Sequence, residues 1–158
     1  MAEELWLLRH GDAEDGAGKP DEERRLTPKG EDQARWAGGA LAALDARFAH
    51  VFTSPRVRAH DTARLACKEL GAEPMVHQPL SAGFDSEDAI ELLLTARPDG
   101  RVLAVGHEPD FSQVVHDLTG ARIALKKGGL AAVRLQGSRG ELSVLLRPRE
   151  LDRICAPR

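Results

Sequence analysis

The chain has 158 residues, enough for one domain with a sizeable core, and 42% hydrophobic with 30% charged residues is the make-up of an ordinary globular protein. A formal charge of −3 excludes a general attraction to nucleic acid or to an anionic membrane, so any cationic site has to be local. Cys67 and Cys155 are too few for a disulfide framework and show no metal-ligand spacing, and the acidic start MAEEL, with no apolar run of signal or span length, predicts a cytoplasmic chain.

Taken in chain order, residues 5–8 (LWLL) predict a short strand buried on both faces, which gives way at once to Arg9, His10, Gly11 and Asp12. Residues 15–25, DGAGKPDEERR, read as an exposed loop. Thr27 as N-cap with Pro28 at the first helical position opens a helix to about residue 44. HVFTS (50–54) is a second strand. Ser54 and Pro55 repeat the cap-then-proline signal and open a helix to about residue 70, which Gly71 ends.

PMVHQ (74–78) reads as a further strand, SEDAIELLLTA (86–96) as a helix and RVLAVG (101–106) as another buried strand. Pro109 starts the next helix, and LAAVRL and ELSVLL flank QGSRG as a hairpin. Strands alternating with helices predict a single α/β domain over residues 1–158, layered around a largely parallel sheet.

Three of these strands end alike. The first runs into Arg9-His10-Gly11; the second into Ser54-Pro55, with Arg58 in the first turn of the next helix; the third into Gly106-His107, again before a helix. Open α/β sheets bind ligands outside the carboxyl ends of their strands, where helix N-termini present free N–H groups. Helical side chains lean toward the N-terminus, so Arg58 points back over that rim. Two arginines and two histidines on one rim suit a phosphoryl group: guanidinium forks match phosphate oxygens, and an imidazole nitrogen can attack phosphorus. No metal is needed for that chemistry.

The ordered set LLRHGDAE, LTPKGEDQA, TSPRVRAHDTA and AVGHEPDFS resembles the histidine phosphatase superfamily, over roughly residues 4 to 146. The Arg-His-Gly-Asp-Ala start looks most like the small bacterial phosphohistidine phosphatases of the SixA type. The resemblance implies a three-layer α/β/α sandwich with a mostly parallel central sheet, the phosphoglycerate mutase-like fold. It makes His10 the nucleophile that becomes phosphorylated, Arg9 and Arg58 phosphate ligands, and His107 the second histidine of the pocket. Gly11 and Ser54 join these as substrate-binding candidates. No cofactor is expected, and no cluster of ligands in the sequence has metal spacing.

One departure carries information. Superfamily members that act on phosphate esters often have a glutamate acid after the third strand, whereas the comparable segment here, QPLSAGFDSED, has Leu80 just after Pro79. Asp12, Asp85 and Glu87 are substitutes by proximity only. Imidazole, with a conjugate acid of pKa about 6.5, leaves far more easily than an alkoxide and needs a general acid less. The sequence therefore favours phosphohistidine on a partner protein as substrate, with no nucleic acid and no membrane involved.

Plainer readings exist for each feature. His10 and Asp12 could begin a His-x-Asp metal site, although no further ligand stands at helical spacing nearby. His50, His60, His77 and His116 read as surface or structural residues, Arg56 as a solvated helix charge in preference to a rim contact to substrate, and KKGG (126–129) as a basic turn before a strand. Two functional alternatives remain: a small-molecule phosphate-ester phosphatase or mutase of the same superfamily, and a non-catalytic phosphate-binding module. Predicted elements fill the stretch between Arg58 and His107, leaving no room for a large lid.

Overall fold

Four successive apolar residues need burial on both faces of a strand, and they have it: Leu5, Leu7 and Leu8 are fully enclosed and Trp6 is 7% exposed. Leu5 and Leu7 join one core cluster, while Trp6 and Leu8 join the other, on the opposite face of the sheet. Each fully buried leucine contributes about 2 kcal/mol of apolar burial, so this strand is fixed at the centre of the fold.

The computed structural model describes residues 2–156. In chain order it runs β1 (Glu3–Arg9), α1 (Pro28–Ala43), β2 (His50–Thr53), α2 (Val57–Leu70), β3 (Pro74–Val76), α3 (Ser86–Leu94), β4 (Arg101–Gly106), α4 (Asp110–Thr119), β5 (Leu130–Gln136), β6 (Arg139–Leu146) and α5 (Pro148–Cys155). The six strands form one sheet in the order β3-β2-β4-β1-β5-β6. Pairings among β3, β2, β4 and β1 are parallel, and β5 and β6 extend the sheet antiparallel. Residues of α1, α2 and α5 pack on one face and residues of α3 and α4 on the other, which makes three layers.

Local chemistry explains most element ends. Thr27 accepts the Gly30 N–H and Pro28 fills the first turn of α1. Gly71 closes α2 at φ 66°. The second helix departs from expectation at its start. Arg56, not Ser54, is its N-cap residue, because the Ser54 hydroxyl is committed to His107 and to the Arg56 N–H. The third strand is shorter than predicted: after Val76 the chain tightens into a 3-10 turn at Gln78–Leu80.

The C-terminal helix α5 is an addition to the sequence reading. Pro148 begins it, Arg147 and Glu150 close its first turn reciprocally, and Leu151 is wholly buried in the cluster shared with α1. The expected hairpin of β5 and β6 is present, with a register shift at Ala132 and Val133.

Sheet register sets the site. Arg9 lies level with Gly106 and Thr53 level with Val105. The His10 N–H donates to Gly106 O and the Ser54 N–H to Val105 O, each at 3.0 Å. Just beyond β1 the backbone crosses α1 so closely that a Cβ at Gly30 would lie 1.9 Å from Asp12 O, and one at Gly11 would lie 2.4 Å from Gly30 O. Gly30→Ala is therefore expected to lower stability by about 3 kcal/mol, as an overpacked backbone contact. Gly71→Ala, which meets nothing within 4 Å but stands at φ 66°, should cost only about 1 kcal/mol. Urea denaturation of both variants checks this; equal losses would mean the crossing is not tight.

Candidate active site

Because β1, β2 and β4 end level, their last residues meet. His10, Ser54, Arg58 and His107 are all buried, and the His10 and His107 rings lie with centroids 5.2 Å apart. Arg9 donates through Nη1 to Leu125 O at 2.9 Å. Among the described residues, three buried side-chain polar atoms lack a partner: Arg9 Nε, Arg58 Nε and His107 Nδ1. Unpaired buried donors are costly, and all three belong to residues gathered around the His10 ring. Such a concentration marks a site built for an acceptor with several oxygens.

Hydrogen bonds assign the tautomers. His10 Nδ1 lies 2.7 Å from Gly11 O, a carbonyl that can only accept, so Nδ1 carries the proton and Nε2 keeps its lone pair. Ser54 Oγ accepts the Arg56 N–H and lies 2.8 Å from His107 Nε2. That fully buried hydroxyl needs an acceptor for its own proton, and His107 Nε2 supplies one, which leaves the proton of His107 on Nδ1. One imidazole thus presents a nucleophilic lone pair and the other an N–H donor.

Both rings are held neutral. Burial pushes the His10 pKa down to about 4, and Arg58, Arg9 and Arg24 reinforce that against the Gly11 hydrogen bond, which raises it. Burial likewise brings His107 to about 3, helped by His10, Arg58 and Arg56. The frame around His10 is backbone: the Gly128 N–H donates to His10 O at 2.9 Å, the Gly11 N–H to Thr62 Oγ1 at 3.1 Å and the Asp12 N–H to Gln33 Oε1 at 2.8 Å.

The substitute acids stand elsewhere. Asp12 accepts the Thr27 hydroxyl at 2.8 Å and pairs with Lys127, and the Thr27 bond foremost holds its carboxyl below the usual range. Asp85 caps α3 in a reciprocal box with Asp88. Glu87 is exposed on the first turn of α3. None of the three makes a hydrogen bond to His10, Arg9, Arg58 or His107. His50, His77 and His116 lie outside the cluster, against Phe52 and Asp117. Residues 126–129 form the expected turn, but its backbone also ties down Arg9 and His10.

Comparison with known proteins now bears on this geometry. The sequence model of the histidine phosphatase superfamily (branch 1) matches residues 5–81. An uncharacterised protein of Picosynechococcus is 35% identical over 162 residues, covering 94% of this chain and 98% of that one. The chain belongs to the histidine phosphatase superfamily. The solved structure of the protein histidine phosphatase SixA complexed with tungstate superposes with a TM-score of 0.85 at 26% identity, covering 94% of this chain and 99% of that one. The mitochondrial serine/threonine-protein phosphatase Pgam5 of Drosophila persimilis is 36% identical over 123 residues, 77% of this chain but 38% of Pgam5.

In this superfamily member several residues beyond the sequence-level candidates shape the site. Thr62, one turn after Arg58, donates to Arg58 O at 2.7 Å while accepting the Gly11 N–H, joining the His10 loop to α2. Its i, i+4 spacing from Arg58 was the available signal. Asp21 accepts from Arg58 Nη2 at 3.1 Å and from Arg56, so Arg56 is not a solvated charge; its Nε also donates to Ser81 O at 2.9 Å. No periodicity marks Asp21, which lies in a polar loop.

With both folded pKa values below the ordinary imidazole value of about 6.5, the unfolded chain binds protons that the folded chain refuses. Stability is full above that value and declines as pH falls through about 4 for His10. Imidazole NMR of the protein should show two rings that stay neutral, His10 on its Nδ1–H tautomer, from pH 7.5 down to about 5. Titration of either ring near pH 6.5 would contradict this arrangement.

Proposed function

We propose that this protein is a phosphatase that hydrolyses phosphohistidine on a partner protein through a covalent phosphohistidine on His10. The observation that carries the reading is the meeting of a lone-pair nitrogen, His10 Nε2, with unpaired donors on Arg9, Arg58 and His107. His10 Nε2 forms a bond to phosphorus as the bond from phosphorus to the leaving imidazole nitrogen breaks, and that imidazole takes up a proton. Water then attacks the phosphoryl group on His10, releasing phosphate and restoring the free ring. Arg9, Arg58 and the His107 Nδ1–H stabilise the equatorial oxygens in both steps. The donor set, two guanidinium groups and two imidazoles, suits an anion without a metal ion.

The leaving group decides the substrate class. Asp12 and Asp85 are tied into other contacts and Glu87 is exposed on α3, so none of these three carboxyls is placed to protonate an alkoxide, whereas an imidazole leaves with less help. SixA, structurally alike, is a protein histidine phosphatase and is complexed with an oxyanion, tungstate. The competing reading, hydrolysis of phosphate esters, draws support from the likeness to Pgam5, a serine/threonine-protein phosphatase. A cytoplasmic setting fits two free thiols, Cys67 and Cys155; no helix among the described residues is long and apolar enough to cross a membrane.

The deciding experiment ranks kcat/KM for a phosphohistidine protein against phosphoserine peptides and sugar phosphates. Lacking a placed acid, the enzyme should favour phosphohistidine by about 100-fold or more. Activity should survive excess EDTA and be blocked by vanadate, which adopts the five-coordinate geometry of the transition state. Preference for an ester would shift the assignment to the alternative, and loss of activity on chelation, restored by one divalent metal, would overturn the metal-free mechanism.

A further inference from the structure

The loop between β1 and α1 is held at its base and at its tip. At the base, Ala13 bridges Leu26 and the Glu14 N–H donates to Arg25 O at 2.9 Å. Arg24 Nε donates to Glu14 O at 2.8 Å, and the Arg24 side chain lies against Gly16 so closely that a Cβ there would come within 2.4 Å of its Cγ. At the tip, Asp21 reaches the arginines of α2. Its backbone carbonyl accepts from Arg58 Nη1 at 2.8 Å and its carboxylate from Arg58 Nη2 at 3.1 Å. The same carboxylate oxygen, Oδ2, accepts from Arg56 Nη1, while Oδ1 accepts from Arg24 Nη1 at 3.1 Å. One residue therefore takes both terminal nitrogens of the proposed phosphate ligand Arg58.

We infer that Asp21 is an internal anion that competes with the substrate phosphoryl group for Arg58, and that its displacement adds Arg56 as a third guanidinium on the substrate. This rests on the phosphate-binding role given to Arg58 in the proposed function. The unpaired Arg58 Nε–H can receive one phosphoryl oxygen directly, and a second oxygen that takes the Nη2 N–H now held by Oδ2 displaces the Asp21 carboxylate. The exchange is favourable because a phosphoryl group brings nearly two negative charges and three acceptor oxygens, against one charge on the carboxylate. Asp21 also has somewhere to go, because Arg24, three residues on, already holds its other oxygen.

Arg56 is placed to follow the exchange. Its Nε is anchored on Ser81 O at 2.9 Å, so its terminal nitrogens stay at the rim when Oδ2 leaves. Its side chain is 19% exposed, whereas that of Arg58 is 8% exposed, which puts Arg56 on the solvent side of the pair. A substrate entering from solvent meets Arg56 first. The arrangement screens mutual repulsion of three guanidinium groups in one small volume, and it sets a threshold that weak anions do not pass.

Calorimetric titration with inorganic phosphate tests this without turnover. Asp21→Asn keeps the shape and a hydrogen-bonding oxygen, the side chain is 47% exposed, and the base of the loop is held without it by Ala13, Glu14 and Arg24. If the carboxylate holds the arginines about nine-tenths of the time, Asp21→Asn should bind phosphate about tenfold more tightly and lower KM for the phosphohistidine substrate. Adding Arg56→Met to Asp21→Asn should then weaken phosphate binding about tenfold. Unchanged or weaker binding by Asp21→Asn would overturn the competition and make Asp21 a residue that positions the arginines. A double variant that binds as tightly as Asp21→Asn would overturn the role of Arg56. A wild-type protein that hydrolyses phosphohistidine while Asp21→Asn fails to tighten would sink this inference alone. Failure of every form to bind phosphate would sink the reading of Arg58 with it.

Discussion

The level ending of three neighbouring parallel strands is the constraint on which the site depends. Parallel pairing of β1 with β4, and of β4 with β2, aligns Arg9 with Gly106 and Thr53 with Val105, so the next residues out are His10, Ser54 and His107. A slip of one residue in either pairing would turn each of these side chains to the opposite face. Polarity alone does not forbid the slip, since β1 and β4 are apolar on both sides; close packing does, with Leu5 and Leu7 fitted into one core and Trp6 and Leu8 into the other. Precision at the rim is thus inherited from the core. Beyond the strand ends the Gly11–Gly30 crossing continues the same control, fixing the exit path of the chain after His10.

Into this frame the protein brings a local concentration of positive charge that its overall charge of −3 conceals. Arg9, Arg24, Arg56 and Arg58 all act on the two buried rings or on each other, and burial with Arg58, Arg9 and Arg24 keeps His10 neutral. Neutrality is the condition for nucleophilic attack, and the Gly11 carbonyl decides which nitrogen makes it. The same guanidinium groups that attract a phosphoryl anion therefore also prepare the nucleophile. Ser54 does for His107 what the Gly11 carbonyl does for His10: it sets the proton position.

Much of this was legible in the sequence, for identifiable reasons. LWLL and RVLAVG are short unbroken apolar runs of the kind buried strands have, and a strand that ends in Arg-His-Gly or Gly-His puts those residues on a known rim of α/β sheets. Thr27-Pro28 and Gly71 gave helix ends through local chemistry alone. What stayed hidden depends on contacts distant in sequence. Ser54-Pro55 has the form of a helix start, but the hydroxyl is captured by His107, 53 residues away, and the helix begins later. Asp21 meets Arg58 across 37 residues, from a loop whose composition signals only exposure. Helix α5 is short, and its place is fixed by Leu151 packing against α1 rather than by propensity.

The central claim is that His10 Nε2, prepared by the Gly11 carbonyl and surrounded by Arg9, Arg58 and His107, takes the phosphoryl group covalently. The most direct measurement is a rapid alkaline quench of the protein with a labelled phosphohistidine substrate, followed by peptide mapping. The account predicts label on the peptide carrying His10, stable in alkali, lost in acid and absent from His10→Ala, which should fold but not turn over. Label on another residue, or full turnover with no covalent species and an active His10→Ala, would contradict it.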